Sequence, residues 1–213
     1  MKGSQWAQRL ALVFMLGVAP AGWAKGDLAV SAQVGTQLKA GSEQLASKNF
    51  AAALQVFQKG LSSADLTDFE KFSYHRLMVG AAFGSGDYAQ ALSSAELVLT
   101  SPFLDPTEVP YLHQTLLNSC LKLKAFDKAY AVLSKWISQD PGNTQYVNMR
   151  TKVAYSGKMF DKAVLAAQSE IEANNKSNTP PEENTLKILA DSASNLGEES
   201  VYIEGLTLLV KYY

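Results

Sequence analysis

The residues able to do chemistry in this chain are few, and their spacing limits what they could do. His75 and His113 stand 38 positions apart, and Cys120, the only cysteine, follows His113 by seven, which puts the last two on a similar face of one helix. A thiol activated by a neighbouring imidazole is the nucleophile such a set could build. Two histidines and one thiol fall short of a usual zinc cage, and a lone cysteine has no internal disulfide partner. The acidic pairs Asp65 with Asp68 and Glu182 with Glu183 could act as glycosidase carboxylates only in a cleft. Both fall where helices are expected to start, and there the helix macrodipole favours them. The segment GAAFGSG at 80 lies across an expected helix end and not between a strand and a helix, so it is no phosphate loop. This reading assigns no catalytic residue, no cofactor and no metal, and the packing positions of the histidines and the thiol favour a structural role.

The elements that hold these residues form a repeat. One short phrase occurs five times: KNFAAAL at 48, GDYAQAL at 86, KAFDKAY at 124, KMFDKAV at 158 and SVYIEGL at 200. Each has an aromatic, Phe50, Tyr88, Phe126, Phe160 or Tyr202, and three positions later a small residue, Ala53, Ala91, Ala129, Ala163 or Gly205. Phe57, Ala95, Leu133, Ala167 and Leu209 follow four further on, and Leu61, Leu99, Ile137, Ile171 and Tyr213 eight further on, all on one face of a 3.6-residue helix. A second amphipathic stretch precedes each phrase, roughly at 34–47, 72–85, 111–123, 145–156 and 182–196. The unit is therefore helix, turn, helix. An aromatic opening the second helix plugs the gap to its neighbour, and the small residue lets the paired helices approach closely. Residues 100–110, with three prolines, and 174–181 read as loops.

With 213 residues, 47% hydrophobic and 18% charged, the chain has enough apolar surface to bury a core. Its 19 basic and 20 acidic residues include no cationic block, which argues against nucleic acid. The first 24 residues have the layout of a signal peptide: Lys2 and Arg9, then the apolar run Leu10 to Val18, then small residues up to Ala24. Cleavage is expected after Ala24 or Ala21, releasing residues 25–213 as one soluble periplasmic repeat domain, because the run is too short to remain as a membrane span.

The repeat resembles the tetratricopeptide (TPR) family over about residues 30 to 213, best in AFDKAYAVLSKWISQDPGN, where Phe126, Ala129, Leu133, Ile137 and Pro141 hold the family's spacing. The family's large aromatic early in the first helix is replaced by Gln37, His75, His113, Val147 and Leu189, and its early glycine stands as Gly41. The resemblance implies an all-α, right-handed α-solenoid of about five helix-turn-helix units that binds a protein or peptide along a groove lined by first helices. Carried over by position, the groove would hold Arg76, Gly80 and Phe83, then Tyr111, Gln114, Asn118, Leu121 and Lys122, then Asn148, Lys152 and Tyr155. Amides there would bond a peptide backbone, Arg76 and Lys152 would attract a carboxylate, and Tyr111 and Tyr155 would cover apolar side chains. The 100–110 loop, KAYAVLSKWI and LTLLVKYY look like repeat proteins associated with TonB-type transport systems.

The expected function is thus a periplasmic scaffold or adaptor in a cell-envelope complex. The alternatives are an envelope enzyme or cell-wall hydrolase accessory, and a purely structural self-assembly module. GLTLLVKYY leaves an apolar final helix, which implies self-association through that helix, a partner, or a chain that is a fragment of a longer one.

Overall fold

The computed structural model describes residues 28–213, and the regular structure there is entirely helical. The signal peptide expected at 1–24 lies outside the described residues. Ten α-helices follow one another: α1 (Ala32–Ala46), α2 (Phe50–Leu61), α3 (Asp68–Ser85), α4 (Tyr88–Leu99), α5 (Val109–Lys122), α6 (Phe126–Gln139), α7 (Thr144–Ser156), α8 (Phe160–Lys176), α9 (Glu183–Leu196) and α10 (Glu199–Tyr212). They fall into two compact units, one running through Leu123 and holding α1 to α5, the other Lys124–Tyr213 holding α6 to α10. None of the described helices is long and apolar enough to cross a membrane.

The turn inside each helix pair has one conformation. Lys48, Gly86, Lys124, Lys158 and Gly197 all have φ between +54° and +86°. The residue after each caps the next helix with φ between −80° and −86° and ψ between 61° and 77°. Only two of the five are glycine, so three lysines hold a left-handed conformation disfavoured for them by about 1–2 kcal/mol. At Lys48 and Lys158, whose flanking helices belong to one compact unit, the packing of those helices must outweigh that cost.

In the first four pairs the phrase's aromatic is the first residue of the second helix, as expected. Phe50 lies against Gly84, where a Cβ would come 2.5 Å from its ring, and Phe126 lies against Gly157, where a Cβ would come 2.6 Å from the Phe126 Cβ and 3.0 Å from its ring. The small residues Ala53, Ala91, Ala129 and Ala163 are completely buried. The fifth pair corrects the expectation: α10 begins at Glu199, so Tyr202 stands three residues inside the helix and is exposed. The close approach stays at Gly205, the small residue expected there, where a Cβ would lie 3.0 Å from that of Ala190.

In the first unit Leu38, Phe57, Tyr74 and Met78 form the centre of the core, with the Phe57 ring filling the space above Gly41. The start of α1 is tied to α3 through Glu70, whose carboxylate accepts the Ser31 backbone N–H at 2.8 Å and that of Thr67 at 2.9 Å. These bonds hold the Glu70 carboxyl down at about 2. In the second unit Val164, Ala167 and Ile171 of α8 pack on Leu186, Leu189 and Ala193 of α9.

Two loop expectations change in detail. Within 100–110, Pro106–Glu108 form a 3-10 turn and α5 starts at Val109, because a proline in a first helical turn gives up no intrahelical hydrogen bond. Phe103 pins this loop, its ring 5.3 Å from that of Phe69 and 5.7 Å from that of Phe72. Asp65, expected at a helix start, instead occupies a turn with φ +63° ahead of α3, whereas Asp68 is the first residue of α3 and Glu182 caps α9.

Candidate functional site

The first helix of each pair carries the candidate residues, and the structure sorts them into those already engaged and those that are not. Arg76 of α3 is engaged. Its Nε donates to both carboxylate oxygens of Glu108, at 3.0 and 2.8 Å, and its Nη2 also reaches Oε1, with only 12% and 17% of the two side chains exposed. The expectation that Arg76 attracts a ligand carboxylate is therefore corrected: the chain's own Glu108 holds that place. Phe83 is turned into the first core and meets the Tyr88 ring edge-on at 5.4 Å, so it is a packing residue. Tyr111 is half-buried with its hydroxyl above Gly80, and burial raises its pKa.

The second unit repeats the arrangement. Asn148 donates to Glu182 at 2.6 Å, Lys152 pairs with the same carboxylate at 3.1 Å, and Tyr155 donates to Asp191 at 2.5 Å. That last bond is the main reason the Tyr155 phenol stays protonated above its ordinary range. The Lys152–Glu182 pair is about half exposed and contributes little stability, so Lys152 can exchange partners at small cost.

These contacts share a spacing. Arg76 to Glu108 is 32 residues, Asn148 to Glu182 is 34, Lys152 to Glu182 is 30 and Tyr155 to Asp191 is 36, each close to one repeat. The acid sits at or near the start of the following first helix, or along it, and reaches back to the preceding one. Repeat position alone did not show this, because the family pattern names groove positions and says nothing of the acids beside them. A search for carboxylates one repeat downstream of each cation would have found them.

Gln114, Asn118 and Lys122 of α5 stand apart. They are four residues apart on one helix face, and none has a hydrogen-bond or ion-pair partner among the described residues. Gln114 and Lys122 are exposed and Asn118 is half-buried. This row offers two amides, each able to donate and accept, and one cation. Leu121 beside it is half-buried.

The catalytic possibilities do not assemble. His75 places Nδ1 3.3 Å from Ser94 Oγ, a serine–histidine contact in form, but Ser94 is completely buried and also takes the Gln90 amide at 3.1 Å. Burial lowers the His75 pKa and takes that of His113 to about 4, so His113 is neutral at pH 7. Cys120 is a buried free thiol. Among the described residues no cluster of three or more His, Cys, Asp or Glu could hold a metal.

A buried carboxyl of the second unit also escaped the sequence reading. Glu170 of α8 is 2% exposed and accepts the hydroxyls of Thr151 of α7 at 3.0 Å and Thr185 of α9 at 2.6 Å. Burial raises its pKa. It joins three helices and faces no solvent, so it is a structural element of the second unit.

No family model matches the chain, and no curated protein matches it. Among solved structures it is similar to "MamA RS-1 ArsTM double mutant", at 15% identity and a TM-score of 0.51 over 86% of this chain and 96% of that one. It is also similar to YrrB, described as "a TPR protein with an unusual peptide-binding site", at 13% identity and a TM-score of 0.53 over 82% and 84% of the two chains. At these identities the likeness shows the fold, an α-solenoid of helix-turn-helix units.

Proposed function

We propose that the chain is a protein-interaction scaffold that binds an extended peptide segment of a partner along the exposed face of its first helices. The observation that carries this reading is the row Gln114, Asn118 and Lys122, polar, accessible and without partners among the described residues. Side-chain amides four residues apart suit the alternating donors and acceptors of an extended backbone, and Lys122 adds attraction for an acidic group. Asn148, Lys152 and Tyr155 form a second set, which a ligand reaches by displacing the half-exposed Glu182 and Asp191 carboxylates. That YrrB carries a peptide-binding site lends support by analogy of fold alone.

The leader-like residues 1–24 favour export, which makes the setting a periplasm and the partner a component of a cell-envelope complex, in the narrower reading a TonB-type transport system. The test is photocrosslinking in cells from Asn118, Lys122 and Lys152, with exposed Ser93 of α4 and Glu172 of α8 as controls, and mass spectrometry of the adducts. A discrete protein adduct from the first three positions and not from the controls is expected. Silence at all three, or equal adducts from the controls, would overturn the proposal, and a signal sequence retained on the mature protein in the cytoplasm would remove the periplasmic part.

A further inference from the structure

The two arginines among the described residues stand on different terms with their surroundings. Arg76 is held by both carboxylate oxygens of Glu108. Arg150 of α7 is half-buried, its Nε is buried, and no hydrogen bond or ion pair reaches it among the described residues. Its place in the repeat makes this unusual. Eight residues before the left-handed turns at Gly86, Lys124, Lys158 and Gly197, the four first helices that pack on a preceding helix carry Met78, Leu116, Arg150 and Leu189. The other three are 1%, 2% and 0% exposed, so a guanidinium occupies a position that the repeat gives to its core. A buried donor without a partner destabilises the isolated fold, and more so on a charged group.

Arg150 lies at the seam between α6 and α7. Tyr146, one turn earlier on the same face, has its ring 5.4 Å from that of Trp136 of α6, and the neighbours of Arg150 round the helix, Val153 and Ala154, are buried. Asn148, Lys152 and Tyr155 lie about 140° or more round the helix from it, so this is a different face from the one proposed for the peptide. Glu182, one repeat downstream and so the counterpart of Glu108, is taken by Asn148 and Lys152. The charge of this stretch is one-sided: residues 124–162 hold seven lysines and arginines against three acids, whereas 163–213 hold three against eight.

Going beyond the peptide-binding reading, we propose that Arg150 binds a carboxylate side chain of an acidic partner segment docked at the α6–α7 seam. Nε and an Nη form the donor fork that matches a carboxylate, as Arg76 and Glu108 demonstrate in the first unit. A glutamate arriving at Arg150 satisfies the buried Nε and neutralises the charge together, and the basic stretch around it attracts an acidic segment. The isolated chain is thus less stable for holding this arginine, and the complex recovers the loss.

The experiment compares the purified chain, its N-terminus checked by intact mass, with Arg150→Met and Lys152→Met. Methionine is what α3 carries at the Arg150 position, and helical circular dichroism verifies that both variants fold. Without ligand, Arg150→Met should melt about 2–4 °C above the parent, because it removes the unpartnered donor; an arginine with a purely structural role would shift the melting the other way. Binding is read by fluorescence anisotropy of dye-labelled hexaglutamate, blocked at both ends, at fixed ionic strength. It should weaken by about tenfold or more in Arg150→Met and by less than about threefold in Lys152→Met, and hexaglutamine should not bind. A melting temperature of Arg150→Met at or below the parent's, or a parent that fails to bind hexaglutamate at about 1 mM, would overturn the proposal. So would hexaglutamate binding that Arg150→Met leaves unchanged, or that Lys152→Met weakens equally, the last result placing the acid on the groove face instead.

Discussion

Replacing Glu108 by glutamine should destabilise the first unit far more than removing a surface charge, and the geometry sets the size. The guanidinium of Arg76 makes contacts with both oxygens of Glu108 through Nε and Nη2, and little of either side chain is exposed. Removing one partner of such a pair leaves a charge stranded in a medium that solvates it poorly, at a cost of about 3–5 kcal/mol when the pair is fully buried. Because 12% of the Arg76 side chain still reaches water, the lower end applies, about 3 kcal/mol. In a chain of this size that is a fall of about 6–12 °C in Tm. The reference is Asp68→Asn, which breaks the Lys71–Asp68 pair of the same unit, where the side chains are 54% and 87% exposed. That change should cost no more than about 0.5 kcal/mol. Urea unfolding followed by circular dichroism measures both, and Arg76→Met with Glu108→Leu should recover most of the loss by removing the stranded charge with its partner. The same Glu108→Gln variant frees a cation on the α3 face, so a peptide with a free terminal carboxylate should bind it more tightly than the parent. A Glu108→Gln loss within about 1 kcal/mol of that of Asp68→Asn, or a double variant as unstable as the single, would refute the reasoning.

Two further outcomes follow from buried sites. Gly41→Ala would drive a methyl group into the Phe57 ring, a side chain with no room to retreat, so stability should fall by about 1–3 kcal/mol; a denaturation midpoint equal to the parent's would show that the ring can move. Glu170 ionises at higher pH in the fold than when unfolded, so the folded state binds the proton more tightly and stability falls as pH rises through the folded pKa. The stability difference between Glu170→Gln and the parent should accordingly shift in favour of the variant from pH 4.5 to pH 8, and a difference constant over that range would contradict it.

Much of the fold was legible because it is periodic. Five aromatic-to-small spacings located the second helices, and the burial of Ala53, Ala91, Ala129 and Ala163 follows from that spacing alone. The fifth phrase held only in part: Gly205 makes the expected close approach to Ala190, but the left-handed turn falls at Gly197, three positions earlier than the phrase implies, so Tyr202 lies inside α10 and is exposed. The candidate site was legible only as positions. Repeat position put Arg76, Lys152 and Lys122 on comparable helix faces, but whether a cation is free depends on carboxylates about 30 residues away, and nothing local to Arg76 announces Glu108. Glu170 was hidden in the opposite way, since its sequence neighbours are ordinary for a helix surface and its burial is decided by Thr151 and Thr185 on two other helices.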